Sequence, residues 1–376
     1  MRIRVVHVNK LYYPWVGGVE KVVQNLAEGL RHQFDVEVLV CQPKGHGSVE
    51  WVNGVRVTRA GSLGTVLSMP VSPSFPILFR RLADEVDIVH VHLPFPLATL
   101  SWWRKRAGQG LVVSYHSDIV RQRWLKPVYG PSMRRMLADA DAIVVSSPNL
   151  VESSAWLRVH RDKCRVIPFF IDGSKKAAVS KRATELRQQL QIPDDRPVVL
   201  FVGRLVYYKG VEYLIRAMQA VDAVLLLVGT GPLEHDLKRL VSDLGIERKV
   251  RFLGKVSDAT LDKCYQLCSF LVLPSVEPTE TFGLVQLEAM AYGKPVINTE
   301  LPTGVPFVSL HGETGLTVPP RDVTALANAI ALLCENDQLR LRLGQAAKLR
   351  AETVFDRKKV LASVAGLYRE VVRKKK

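Results

Sequence analysis

A chain of 376 residues exceeds what one hydrophobic core usually supports, since single cores stop growing near ~250–300 residues, so two domains or one large barrel are expected. With 47% hydrophobic, 23% charged and 7% aromatic residues the composition is that of a packed globular chain, which excludes disorder, collagen and a coiled coil. A formal charge of +16 asks for an anionic partner, and the lack of any run of roughly 18 uncharged apolar residues excludes a membrane-spanning helix.

The first residues, Met1 to Asn9, read as a strand over 3–8 and have no signal-peptide apolar stretch. Further strand-like runs lie at 36–41, 54–59, 88–91, 110–115, 142–146 and 165–168. A second series covers 198–202, 223–228, 250–253, 270–274, 295–299 and 315–318. Longer helical patterns separate these runs, the alternation expected of βαβ units and parallel sheets. Between the two series, residues 171–197 carry turn residues at both ends of a polar helix and read as the linker. Domains of 1–172 and 173–356 are expected, with a last helix at about 357–376 crossing back onto the first. The fold class is α/β, two doubly wound sheets facing each other, with a ligand cleft between them at the carboxyl ends of the strands. Five scattered cysteines in apolar surroundings suit core packing in a reducing cytosol, and Cys264 with Cys268 lacks the further ligands of a zinc site; no metal site is expected.

The strongest local feature is the segment from Pro278 to Gly293, directly after the strand ending at Pro274. A helix is expected to begin near Thr281 or Phe282, with the amides of Phe282, Gly283 and Leu284 pointing unpaired at hydroxyls or an anion. Glu280 before the helix and Glu288 within it are placed to grip two sets of hydroxyls on an extended polyol ligand. Arg204 and Lys209, between Gly203 and Gly210 at the end of the first strand of the second series, are placed to converge on a diphosphate. Gly17 and Gly18, at the start of the first helix, either bring backbone amides close to a phosphate or only turn the chain. Gly229-Thr230-Gly231 has no third glycine, so a dinucleotide fingerprint is not supported. His116 lies just past a strand end, while His90 and His92 alternate with valines and so face one side of their strand. A lone strand-end histidine is more often a satisfied hydrogen bonder; the other features at the same strand ends favour a catalytic His116.

Glu280 and Glu288 with seven residues between them, Gly203-Arg204 with Lys209-Gly210, and Gly17-Gly18-Val19-Glu20 together resemble the retaining family-four glycosyltransferases of the GT-B fold, two facing Rossmann-like domains with an inter-domain cleft. The likeness runs from Met1 to about Val371. The stretches 298–308 and 312–316 are similar to bacterial mannosyl- and rhamnosyl-transferases of surface polysaccharide and O-antigen synthesis. The resemblance implies that Arg204 and Lys209 hold the donor diphosphate with the Gly18 amide near it, and that Glu288 takes the ribose. It also implies that Glu280, Thr281 and the amides of Phe282 to Leu284 hold the sugar, that Val256 borders the base through its backbone, and that His116 sits near the reacting face. It further implies front-side attack with retention, in which stabilising the leaving diphosphate is the main task and no metal or other cofactor is needed. Two departures stand out: Phe169-Phe170 precedes Ile171-Asp172 where Asn-Gly is common, and Thr281 replaces a small residue, which narrows the sugar pocket.

The charge is uneven: residues 1–176 hold 24 basic and 14 acidic side chains, the remainder 28 and 22. Trp102, Trp103, Arg104, Lys105 and Arg106, then Arg121, Arg123, Trp124 and Lys126, have the composition of a surface that settles on anionic headgroups. A lipid-linked saccharide acceptor on the first domain would account for charge there. The expected enzyme is a monomer or weak dimer in the cytoplasm, peripheral on the inner membrane face. GDP-mannose is the first donor expected and a UDP-sugar the second. A nucleotide-sugar epimerase of similar fold is the competing enzyme. Nucleic acid is the competing use of the charge, but no nucleic-acid module is visible.

Overall fold

The β-branched runs of the first half become β1 (Arg4–Val8), β2 (Asp35–Cys41), β3 (Ser48–Val52), β4 (Val55–Ala60), β5 (Thr65–Val66), β6 (Met69–Pro70), β7 (Ile88–Leu93), β8 (Gly110–Tyr115), β9 (Ala142–Val145) and β10 (Cys164–Val166). The computed structural model describes residues 2–15, 17–66, 69–102, 108–119, 126–171 and 181–375. It divides into two units, Met1–Phe169 with Lys358–Lys376, and Phe170–Arg357.

In the first unit, eight strands form one sheet ordered β10-β9-β8-β7-β1-β2-β4-β3, and β5 pairs with β6 alone. The eight-stranded sheet is parallel except for β3, which runs antiparallel to β4. β7, β8 and β9 are buried at every residue, as expected of central parallel strands, although His90 and His92 interrupt the apolar run of β7. The helix Gly18–Leu30 buries Val22, Val23, Leu26, Ala27 and Leu30, a stripe at helical spacing. β3, β5 and β6 were not expected from the sequence. β3 is an edge strand, exposed along most of its length, and turns into β4 through Asn53 and Gly54 at φ 49° and 80°.

The helix Arg357–Arg373 buries Val360, Val364, Leu367, Tyr368 and Val371 on one face. Tyr368 packs edge-to-face on Phe34, and Lys375 pairs with Asp141 at 3.0 Å, so this helix is a structural part of the first unit.

The second unit holds β11 (Val198–Val202), β12 (Val224–Val228), β13 (Val250–Gly254), β14 (Phe270–Leu273), β15 (Val296–Thr299) and β16 (Gly315–Val318). All are parallel, in the order β13-β12-β11-β14-β15-β16. From β11 the chain builds outward to β13, then returns to start β14 on the other side of β11. The loops after β11 and β14 therefore leave the sheet in opposite directions and open a crevice between them. Among the described residues no helix is long and apolar enough to cross a membrane.

Because the last helix carries part of the first unit's core, Leu367→Ala should lower unfolding free energy by about 2–5 kcal/mol in urea titration, while exposed Lys358→Ala changes it by less than about 0.5 kcal/mol. Equal effects would mean that the helix is a loosely attached tail.

Candidate active site

The crevice between β11 and β14 is closed at its base by backbone. The Val276 amide donates to the Tyr208 carbonyl at 2.8 Å, joining the two loops. Gly210 sits at φ 64°, where a Cβ would meet the Pro274 carbonyl oxygen at 2.1 Å, so only glycine permits this approach. Behind them, the turn 229–231 supports the β11 loop: Leu205 donates to the Thr230 carbonyl at 3.0 Å, and a Cβ on Gly231 would meet the Leu205 oxygen at 2.3 Å. The Gly229-Thr230-Gly231 turn thus acts as a brace.

Lys209 and Glu280, assigned from sequence to diphosphate and sugar respectively, meet in this crevice as an ion pair, with side-chain exposures of 12% and 11%. Ser275 Oγ donates to the same Glu280 carboxylate oxygen at 3.1 Å, and Thr303 Oγ1 donates to the Glu280 carbonyl at 2.8 Å. Thr299 Oγ1 in turn donates to the Ser275 carbonyl. Neither Ser275, Thr299 nor Thr303 was singled out in the sequence; the signal for Ser275 was its place just past the end of β14. Arg204 is exposed, and its side chain has no ion-pair or hydrogen-bond partner among the described residues. One cation is therefore built into the loop scaffold and the other is available to an anion.

The helix that follows starts later than the sequence suggested. It runs Leu284–Ala291, with Gly283 at φ 72° before it, because a left-handed residue there interrupts helical geometry at Thr281 and Phe282. Phe282 is buried and packs edge-to-face on Phe355, while Gln286 caps the turn by donating from Nε2 to the Phe282 carbonyl at 2.8 Å. The amides of Gly283, Leu284 and Val285 have no acceptor among the described residues, so the donor array exists but is displaced toward the helix. Thr281 is held through its carbonyl, which accepts from the Gly304 amide at 2.8 Å. Glu288, on the same helix, accepts from Tyr265 Oη at 2.5 Å. Burial first, and the Glu288 carboxylate second, push the Tyr265 phenol well above its ordinary value, which keeps it a proton donor. Val256 lies in the short loop after β13, whose last residue, Gly254, accepts from the Gly229 amide at 2.8 Å. Gly203, Arg204, Lys209, Val256, Glu280 and the Gly283–Leu284 amides thus sit at the carboxyl ends of the strands of one sheet.

In the first unit, Gly17 precedes the helix beginning at Gly18, and its carbonyl accepts from the Lys21 amide at 3.0 Å. His116 follows β8 and is 2% exposed; its Nε2 faces His92 Nδ1 at 3.0 Å, and its ring lies against Phe169. Burial drives the His116 imidazole down to about 3, so it is neutral at physiological pH and serves as a hydrogen-bonding group rather than a charged acid. Trp102 corrects the sequence reading of a membrane-facing residue: it is 4% exposed, packs on Phe79, and donates from Nε1 to Asp139 at 2.8 Å. Apolar contact and a satisfied indole leave it nothing to offer a lipid surface. Trp103, Arg104, Lys105, Arg106, Arg121, Arg123 and Trp124 lie outside the described residues, as does the side chain of Lys126, which opens the helix Lys126–Asp139.

Comparison with known proteins gives the family and the fold. Residues 16–175 match the model of Glycosyltransferase Family 4, and residues 182–350 that of Glycosyl transferases group 1. The D-rhamnosyltransferase WbpZ of Pseudomonas aeruginosa is 38% identical over 94% of this chain and 92% of its own. The O-antigen chain mannosyltransferase C of Escherichia coli is 34% identical over 99% of this chain and 100% of its own. Among solved structures, a sucrose-phosphate synthase from Thermosynechococcus elongatus superposes with a TM-score of 0.81 at 27% identity, covering 99% of this chain and 100% of that one. The architecture is GT-B, and the chain belongs to the family-four glycosyltransferases.

Proposed function

We propose that this glycosyltransferase moves a manno-configured hexosyl unit, from GDP-mannose first and a UDP-sugar second, to a lipid-linked saccharide in O-antigen synthesis. The carrying observation is the loop pair at the β11 and β14 crossover, where Lys209 is fixed by Glu280 and Arg204 is left to an anion. The relatives named for D-rhamnosyl and mannosyl transfer support the sugar class, since D-rhamnose is 6-deoxy-D-mannose.

In this reading Arg204 and Lys209 take the donor diphosphate, with the Gly17-Gly18 backbone near it. Glu288 takes the ribose and the backbone beside Val256 the base. Glu280, Thr281 and the amides at the helix start hold the transferred sugar, and His116 borders its reacting face. The acceptor oxygen attacks on the side the diphosphate leaves, and a leaving phosphate oxygen takes the acceptor proton. The anomeric configuration is thereby retained. Two cations stabilise the charge that develops on the leaving group, the task a divalent ion performs elsewhere. The basic first unit suits attachment to an anionic membrane at the cytoplasmic face.

Arg204→Ala should weaken nucleoside-diphosphate binding by about tenfold to a hundredfold in calorimetry, as expected for a lost charge-assisted contact, with thermal stability unchanged. Lys209→Ala should lower both affinity and stability, the latter by about 3–5 kcal/mol, because it strands a buried carboxylate. Unchanged affinity in Arg204→Ala would move the phosphate site elsewhere. A donor screen by nucleoside-diphosphate release with a lipid-saccharide extract should select GDP-mannose and proceed undiminished in excess chelator. Loss of activity on chelation would contradict metal independence, and release only from UDP-sugars would replace the first donor by the second.

A further inference from the structure

Four histidines and a tyrosine form one continuous hydrogen-bonded chain through the core of the first unit. His7 lies on β1, His90 and His92 on β7, and His116 after β8; Tyr368 comes from the helix Arg357–Arg373. Each of the five is at most 2% exposed. The sequence of contacts is Ser114 Oγ to His90 Nε2 at 2.8 Å, His90 Nδ1 to Tyr368 Oη at 2.5 Å, and Tyr368 Oη to His7 Nε2 at 3.3 Å. It continues from His7 Nδ1 to His92 Nε2 and from His92 Nδ1 to His116 Nε2, each at 3.0 Å. Only His116 Nδ1 has no partner among the described residues. The rings are stacked, His90 on His92 at 4.5 Å and His92 on His116 at 5.3 Å between centroids.

Burial holds all four imidazoles far below their ordinary range, so each carries one ring proton, and a chain of neutral imidazoles must run in one direction. Tyr368 sets that direction. It has one proton for two imidazole neighbours, and an O–H donor makes a shorter bond than an N–H donor, so the 2.5 Å contact is assigned as its donation to His90. The 3.3 Å contact is then His7 Nε2–H donating to the phenol oxygen. His7 Nδ1 must accept from His92 Nε2–H, and His92 Nδ1 from His116 Nε2–H. The unprotonated atom at the end of the chain is His116 Nδ1.

We propose that Tyr368, acting through His7 and His92, is a positioning residue that fixes His116 as its Nε2–H tautomer and presents Nδ1 as an acceptor for a substrate hydroxyl. The proposal rests on the reading that His116 borders the transferred sugar. Reversal of the chain would turn the same atom into a donor, so a phenol on the last helix of the chain decides which kind of group His116 can receive. His7, His90 and His92 also offer nitrogens within 4.8 Å of one another, as a metal ion would require. Those atoms are already paired with each other, with Tyr368 or with Ser114, and a metal would have to break the chain; the hydrogen-bonded reading accounts for every contact.

The test is long-range proton–nitrogen NMR on the full chain with nitrogen-15 histidine, the His116 signals assigned by His116→Gln. In the wild type the Nε2 of His116 should carry the proton and Nδ1 should be pyridine-like. Tyr368→Phe, and independently His92→Phe, which keeps a ring in the stack, should each convert this to a tautomer mixture and lower kcat/KM about tenfold, the usual scale for a lost orienting partner. A protonated Nδ1 in the wild type, or an unmixed tautomer in both variants, would overturn the proposal, as would one tightly held equivalent of zinc on these histidines. Mixed tautomers with unchanged transfer would overturn its catalytic half. Absence of any sugar transfer by the wild type would instead strike the functional reading, leaving the spectra to decide the wire alone.

Discussion

Lys209 and Glu280 lie 71 residues apart in sequence and meet because β14 is laid down on the opposite side of β11 from β12. The strand reversal makes a crevice, and the pair fills its floor. Two buried opposite charges in contact hold each other's position, and Ser275 supplies the carboxylate with a further hydrogen bond. Removing either partner would leave a charge without compensation, so the loops are bound to this arrangement by the cost of breaking it. Gly210 against the Pro274 carbonyl fixes the separation of the two loops at a distance that no side chain would allow.

This floor determines what the rest of the site can do. A lysine committed to a carboxylate is preorganised, whereas an exposed Arg204 is available to converge on the same anion with its planar fork. The Gly283 to Val285 amides add uncharged donors from the loop that carries Glu280. Glu288 is held by the protonated Tyr265 rather than left as a surface charge. In the first unit, the histidine chain follows a different principle: its rings are neutral, and their order comes from the direction of hydrogen bonds rather than from ion pairing.

Much of this was legible in the sequence, for definite reasons. Buried parallel strands require continuous apolar runs, so Val198–Val202 and Val224–Val228 announce themselves. Residues at strand ends could be nominated because ligands gather there, and Arg204, Lys209 and Glu280 were. Edge strands lack that signature: Ser48–Val52 is exposed along most of its length, and only the Asn53-Gly54 turn marked the hairpin. The helix start was misplaced because a glycine in left-handed conformation at 283 cannot be told from one in a helix by composition. Trp102 looked like part of a basic surface from its neighbours, but its own burial depends on Phe79 and Asp139, far away in the chain. The meeting of His7 with His92, and of both with Tyr368, depends on sheet order and on the return of the last helix, neither of which local periodicity encodes.

The central claim is that a nucleoside diphosphate binds at the β11 and β14 crossover of the second unit. Hydrogen–deuterium exchange of the full chain with and without saturating GDP tests it directly. The claim predicts slowed exchange in the loops 203–210 and 280–286, with the strands beneath them unchanged. Protection confined to other segments, with those two loops exchanging as in the free protein, would contradict it.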